Sequence, residues 1–385
     1  IKFMKSLVVL NHLSWSPPIA ELHAGVANEL RDKGNQVILS ACDGSFLPCD
    51  HNQVSSKARC LVCKKTAVRI SKELQLPIVW INESKFNING NKLAVDHDTS
   101  SRIKLGVQST IASLTRSPDE KYLNKFWTTY GEKLTNTSVS LYQSLLKIID
   151  IESIEEIYIF NGRFAFASAA ISAALESGID YYVYDQEKST SFRMFHNTLL
   201  HDMSENCRRA INYYNSNPER AEEVSLKLIR QKRNNQQTYE QSYTTKQKAG
   251  MLELYLKNNN INNFISIFPS SDDEYKYLSA SWKMDIIDQL ESIANIANNN
   301  QSITFLVRMH PNMNGMPKKA RNEYYNLGLK YQNIHIISPR NKISTYEVLD
   351  MSDMVIVFCS TIGPESAYIG KNTIGIGPNP YLNLN

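Results

Sequence analysis

Apolar runs that end abruptly at polar, glycine-containing turns, with a helix-like segment after each, constrain this chain more than any other feature. They are clearest between Phe305 and Gly377. Ile303–Val307 ends before His310-Pro311, and Met354–Phe358 ends at Ser360-Thr361-Ile362-Gly363. Short apolar runs alternating with helical periodicity predict a parallel sheet, and such sheets take ligands beyond the carboxyl ends of their strands. The Ser360–Gly363 turn offers hydroxyls and backbone N–H groups at a helix start, which suits a phosphate. Glu365 offers a bidentate acceptor for a ribose diol. His310 offers an N–H to the same diphosphate, and Arg308 an additional cation.

The alternation runs through the whole chain. Ser6–Leu10, a helix over Ile19–Lys33 and Gln36–Ala41 open a doubly wound domain. Further strands are expected at Pro77–Ile81, Glu156–Phe160 and Asp180–Tyr184, with polar loops at Asn82–Asp98 and Gln186–Asn197. A helix from Asp119 to about Ile149 is expected to break near Gly131. At 385 residues the chain exceeds what one core usually serves. The boundary is placed in the polar, aperiodic stretch Gln237–Lys248, giving domains 1–245 and 246–385. The second domain opens with a strand over Asn263–Phe268, followed by Ser270, Ser271 and Asp272 as ligand contacts or as a helix cap.

Hydrophobic content of 42% and charged content of 21% describe an ordinary globular protein. A net charge of +4 gives no ground for nucleic acid as a partner. No apolar run is long enough to span a bilayer, and Ser6–Leu10 is too short for a signal-peptide core. The expectation is a cytoplasmic protein, with peripheral contact at an inner membrane surface left open.

R-x-H-P at Arg308–Pro311 and S-T-x-G-x-E-S-A-x-x-G-K at Ser360–Lys371 resemble the nucleotide-binding half of GT-B glycosyltransferases, and more narrowly bacterial capsule and surface-polysaccharide biosynthesis proteins. Shorter islands at Leu10–His23, Asn161–Arg163 and Phe268–Tyr275 extend the likeness. Pro364 departs from the pattern, at a helix start where proline is harmless. The resemblance implies an α/β fold of two Rossmann-like domains whose parallel sheets face a central cleft. It implies a sugar moved from a CMP- or UDP-linked donor to a growing surface glycan or lipid-linked glycan, with no catalytic metal. Arg308, His310, Pro311, Ser270, Ser271, Ser360, Thr361, Gly363 and Glu365 would hold the donor. Asn161, Arg163 and Trp15 would meet the acceptor or a sugar, Arg163 by a carboxylate fork. A nucleotide-sugar epimerase of the same fold and a non-catalytic capsule-assembly subunit are the competing readings.

Inverting transfer needs a base near the acceptor hydroxyl. Glu187, just past a strand end, and Glu21 and His23, early in the first helix, stand foremost; Asp185, His201 and Asp202 stand behind them. Cys42, Cys49, Cys60 and Cys63 cluster in one loop region, with Cys60-x-x-Cys63 a good half-site for a structural Zn²⁺. Four reduced thiols are the competing reading.

Overall fold

The computed structural model describes residues 4–13, 17–82, 95–117, 119–188, 191–234, 244, 246–271, 273, 276–277, 285–299, 303–377, 379 and 381. The chain divides into two compact units. Unit 1 takes Ile1–Ile111 and Leu123–His201, and unit 2 takes Ala112–Tyr122 and Asp202–Asn385.

Unit 1 is built from β1 (Lys5–Leu10), α1 (Pro17–Asp32), β2 (Gln36–Cys42), α2 (Lys57–Leu74), β3 (Ile78–Ile81), most of α3 (His97–Thr115), α4 (Lys125–Ile151), β4 (Glu156–Phe160), α5 (Ala165–Glu176), β5 (Asp180–Lys188) and β6 (Ser191–His196). The sheet order is β3-β2-β1-β4-β5-β6, parallel except for the antiparallel β5/β6 pair. Both faces are covered, as all-parallel sheets require. Leu7, Val9, Ile157 and Ile159 pack against α4 and α5; Val8, Leu10, Leu39, Tyr158 and Phe160 share the other core with residues of α1 and α2.

Unit 2 holds the end of α3, α6 (Met203–Ser216), α7 (Pro218–Arg233), α8 (Met251–Asn258), β7 (Ile265–Phe268), α9 (Ile286–Asn299), β8 (Phe305–Arg308), α10 (Lys318–Lys330), β9 (Ile334–Ile337), α11 (Thr345–Met351), β10 (Met354–Phe358), α12 (Ile362–Tyr368) and β11 (Thr373–Ile376). Its sheet is parallel throughout, in the order β11-β10-β7-β8-β9. Strand order reverses at β1/β4 in unit 1 and at β7/β10 in unit 2. Those reversals are where open sheets offer a crevice at the carboxyl ends of their strands.

Two α/β units of Rossmann-like topology agree with the fold class read from the sequence. The differences are local. The polar loop expected at Gln186–Asn197 contains β6, an edge strand. Its Phe192, Met194 and Phe195 pack inward, while Arg193 and His196 mask the pattern. Asp96-His97-Asp98 does not end a loop: Asp96 caps α3, accepting from the backbone N–H groups of Asp98 (2.8 Å) and Thr99 (2.9 Å). α4 starts later than expected, on an Asn124 cap, and runs unbroken through Gly131. That glycine serves close packing, since a Cβ there would lie 2.8 Å from Ile111 Cδ1.

The unit boundary also lies elsewhere than residue 245. α6 and α7 count with unit 2, where Arg233 pairs with Asp350 and Lys232 approaches Glu365. Residues 112–122 join unit 2 as well, through Arg116–Asp273 (2.9 Å), Asp119–Lys276 (3.4 Å) and Lys121–Glu323 (3.2 Å). Stretch 237–248 falls mostly outside the described residues.

α3 and α5 approach closely at Gly106. A Cβ there would lie 2.7 Å from Ser168 Cβ and 3.2 Å from Ala165 Cα. Gly106→Ala is therefore expected to lower stability by about 1–3 kcal/mol through overpacking. Gly25→Ala, with nothing within 4 Å of the added carbon, should raise it by up to about 1 kcal/mol. Urea midpoints of the two variants check the contrast.

Candidate functional site

In unit 2 the tips of β8, β7 and β10 lie side by side. Ser270, just past β7, donates its hydroxyl to Cys359 O at 3.0 Å, tying the β7 tip to the β10 tip. Ser271 Oγ bonds the Asp273 carboxylate, which is buried and also held by Arg116 Nη1 at 2.9 Å. His310 caps the 3₁₀ turn Pro311–Gly315: its Nδ1 accepts from Asn312 N at 3.2 Å. Burial lowers the His310 pKa to about 4; Asp273 works against that shift, and Arg308 and Arg116 reinforce it. The ring is neutral at pH 7, and since Nδ1 accepts, its proton sits on Nε2. His310 thus sits at the β8 tip as a neutral ring whose Nδ1 is held by the backbone.

Other donor-side residues behave differently. Arg308 is not a ligand cation: it is buried and donates to Ser338 O at 2.7 Å and Asn341 O at 3.2 Å. It secures the loop after β9. Glu365 is buried, its Oε1 3.8 Å from Lys232 Nζ, so the expected ribose acceptor already has a cation beside it. Ser360 Oγ accepts from Ile362 N at 3.3 Å, and Thr361 is exposed. Pro364 stands third in α12 rather than first, still among the orphan N–H positions. Tyr381 lies over this turn: its hydroxyl donates to Ser360 O at 2.6 Å. A Cβ on Gly363 would lie 2.5 Å from the Tyr381 ring, which would have to shift to admit it.

In unit 1 the reversal point is polar and buried. His12, past β1, is fully enclosed and its Nε2 lies 3.2 Å from Asp50 Oδ2. Asp50 also accepts from Phe166 N (3.2 Å) and Thr110 Oγ1 (3.3 Å). It therefore caps α5, whose own Ncap residue Phe164 supplies no side-chain bond. Thr110 Oγ1 completes the cap by accepting from Ala165 N at 3.0 Å. Burial raises the Asp50 pKa to about 6 and lowers those of His12 and His51 to about 3. The His12 and His51 rings meet edge to face with centroids 3.8 Å apart.

On the neighbouring tip, Asn161 Nδ2 donates to Asp185 Oδ2 at 3.1 Å, and the Arg163 guanidinium lies over the Phe164 ring at 4.8 Å. Burial raises the Asp185 pKa. Glu21 and Glu187 are exposed, Glu187 within the β5/β6 hairpin rather than just past a strand end. His23 is sealed at 0% exposure, with Nδ1 on the Tyr184 hydroxyl and Nε2 2.8 Å from Asn11 O. It reaches no acceptor and shapes the β1 tip instead. Trp15 lies outside the described residues.

Sequence reasoning passed over His12 and Asp50. His12 sits in the N-terminal island, and Asp50 sits inside the cysteine loop. A second missed signal is backbone strain. His12 (φ 58°), Asn161 (φ 64°) and Cys359 (φ 49°) are non-glycine residues in the left-handed region, each directly beyond a strand at a reversal point. Strained residues concentrate at functional sites.

Cys42, Cys49, Cys60 and Cys63 line one cavity of roughly 70 Å³ together with His12, Asp50 and His51. Burial raises the pKa of the Cys42 thiol to about 11 and that of Cys49 further. Among the described residues no three His, Cys, Asp or Glu side chains form a group that could hold a metal ion. The thiols converge without presenting a tetrahedral ligand set.

No family model and no curated protein matches the chain. The chain is similar to several solved structures. One is the UDP-GlcNAc 2-epimerase of Neisseria meningitidis bound to UDP-GlcNAc, at 11% identity and TM-score 0.27, over 98% of this chain and 88% of that one. Another is a glycosyltransferase from Rickettsia africae, at 13% identity and TM-score 0.26, over 100% of this chain and 83% of that one. A third is KpsC, the β-Kdo 2,7 transferase of Thermosulfurimonas dismutans, at 14% identity and TM-score 0.35, over 62% of this chain and 70% of that one. Likeness at this level carries no weight for activity, and the α/β architecture stands on the chain's own two sheets.

Proposed function

We propose that the chain acts on a nucleotide-sugar and, within that class, transfers the sugar from a CMP- or UDP-linked donor to a surface glycan. The observation that carries the reading is the unit 2 reversal point, where Ser270, Ser271, His310 and Ser360 stand on three adjacent strand tips. Adjacent strands lie about 4.8 Å apart, so tips on three strands span about 10 Å, the scale of a diphosphate with its flanking oxygens. The His310 Nε2 proton and the Ser360 hydroxyl, whose oxygen accepts from Ile362 N, would offset the charge of the departing nucleotide without a metal. Unit 1 would bind the acceptor through Asn161 and Arg163, with exposed Glu21 and Glu187 as candidate bases.

Calorimetric titration with CMP, UDP and GDP tests the reading. One nucleotide is expected to bind, and His310→Ala should weaken it about tenfold, the loss of one charge-assisted hydrogen bond. If none of the three binds, the reading fails. Donor consumed in the absence of any acceptor, with inverted sugar stereochemistry in the recovered nucleotide-sugar, would point to epimerisation instead of transfer.

A further inference from the structure

Several polar side chains line the cavity behind the β1 tip and already carry hydrogen bonds. Asp50 is engaged by Phe166 N, Thr110 Oγ1 and His12 Nε2. Arg59, on the exposed side, donates to His51 O at 2.7 Å. The thiols of Cys42 and Cys49 keep their protons. Asn11 differs. It lines the cavity, is only 8% exposed, and neither its Nδ2 nor its Oδ1 has a hydrogen-bond partner.

An orphaned buried amide is costly and rare in a native protein. Its neighbours hold it in place: His23 Nε2 lies 2.8 Å from the Asn11 carbonyl oxygen, and the next residue carries the left-handed kink. A chemistry that satisfies both amide atoms at once is another amide, offering one N–H and one C=O. Most of the wall is apolar, with Phe46, Ile81, Leu141 and Phe166 facing the space. A carboxylate would meet Asp50 with the one cation at the rim already engaged. A hydroxyl, which can both accept from Nδ2 and donate to Oδ1, would leave the apolar wall uncovered. At roughly 70 Å³ the space takes about five water-sized spheres, enough for the four heavy atoms of an acetamido group.

We propose that this cavity is a subsite for a compact acylamino group, an acetamido substituent carried by a sugar, with its amide paired to Asn11 and its methyl against Phe46, Ile81, Leu141 and Phe166. The sugar rests on the nucleotide-sugar reading; the acylamino recognition rests on the cavity alone.

Saturation-transfer NMR on the full chain with N-acetylglucosamine and with glucose tests it. The acetyl methyl is expected to receive the strongest transfer, and glucose little. Asn11→Leu keeps the volume and removes both polar atoms, so affinity should fall about tenfold while the melting temperature holds or rises. Cys60→Phe, filling the cavity from α2, should abolish the transfer as well. Nucleotide titration of both variants should match the parent, which separates failure of this subsite from failure of the donor site. Equal transfer from both sugars, retained binding in either variant, or a lower melting temperature for Asn11→Leu would each overturn the proposal.

Discussion

Asp50→Ala should cost about 3 kcal/mol of folding stability. Two groups lose the carboxylate together, the Phe166 N–H at the start of α5 and the His12 ring, while the Thr110 hydroxyl keeps Gly106 O at 2.9 Å. The lost helix cap accounts for about 1 kcal/mol. The buried donors left unsatisfied account for about 1–3 kcal/mol more. Asp50→Asn keeps one acceptor oxygen and should lose roughly half as much. Urea unfolding of both variants measures this; a cost below about 1 kcal/mol for Asp50→Ala would mean that water replaces the carboxylate.

Acid should destabilise the protein from about pH 6.5 downward, above the range where ordinary carboxylates protonate. Burial lowers the pKa values of His12, His51 and His201 to about 3, and those of His23 and His310 to about 4, from 6.5. Between those limits the unfolded chain holds more protons than the folded one, so stability is full above pH 6.5 and falls as the pH drops. Each ring contributes about 1.4 kcal/mol per pH unit in that window. Asp50 acts in the opposite sense. Its pKa is raised to about 6, so folding gains as it protonates between pH 6 and 3.8, which offsets one ring of the five. The two most deeply buried rings, His12 and His23, account by themselves for about 2–3 kcal/mol per pH unit. Unfolding midpoints at pH 7, 6 and 5 should descend steadily, and a flat series would contradict the burial of these rings.

The strands that sequence reading placed best are those whose apolar runs are bounded by turn residues. Glu156–Phe160 and Met354–Phe358 match at both ends. β6 escaped because an edge strand alternates charged and apolar residues without a continuous run. α4 was expected to break at Gly131 because local propensity speaks against glycine. Tertiary packing reverses that: a Cβ at position 131 would lie 2.8 Å from Ile111 Cδ1, which would have to give way. Site residues follow the same division. His310 was legible because it lies next to Pro311 at a strand end. His12 and Asp50 were not, because their meaning comes from a contact between residues 38 positions apart. Arg308 and His23 show the converse: suggestive residue types in suggestive places, each already spent on backbone or side-chain partners.

The segment 112–122 has a consequence for biogenesis. As the ribosome releases the chain, Arg116 and Asp119 emerge 157 residues ahead of Asp273 and Lys276, their respective partners. At roughly 5–20 residues per second that interval is on the order of 10–30 s. During it the first sheet can assemble, and α5 finds Asp50 and Thr110 already translated. The segment itself must wait, with Tyr122 still lacking the apolar neighbours it later packs against. Synthesis from the amino end thus suits the first unit and leaves this short segment without its partners until the second sheet appears.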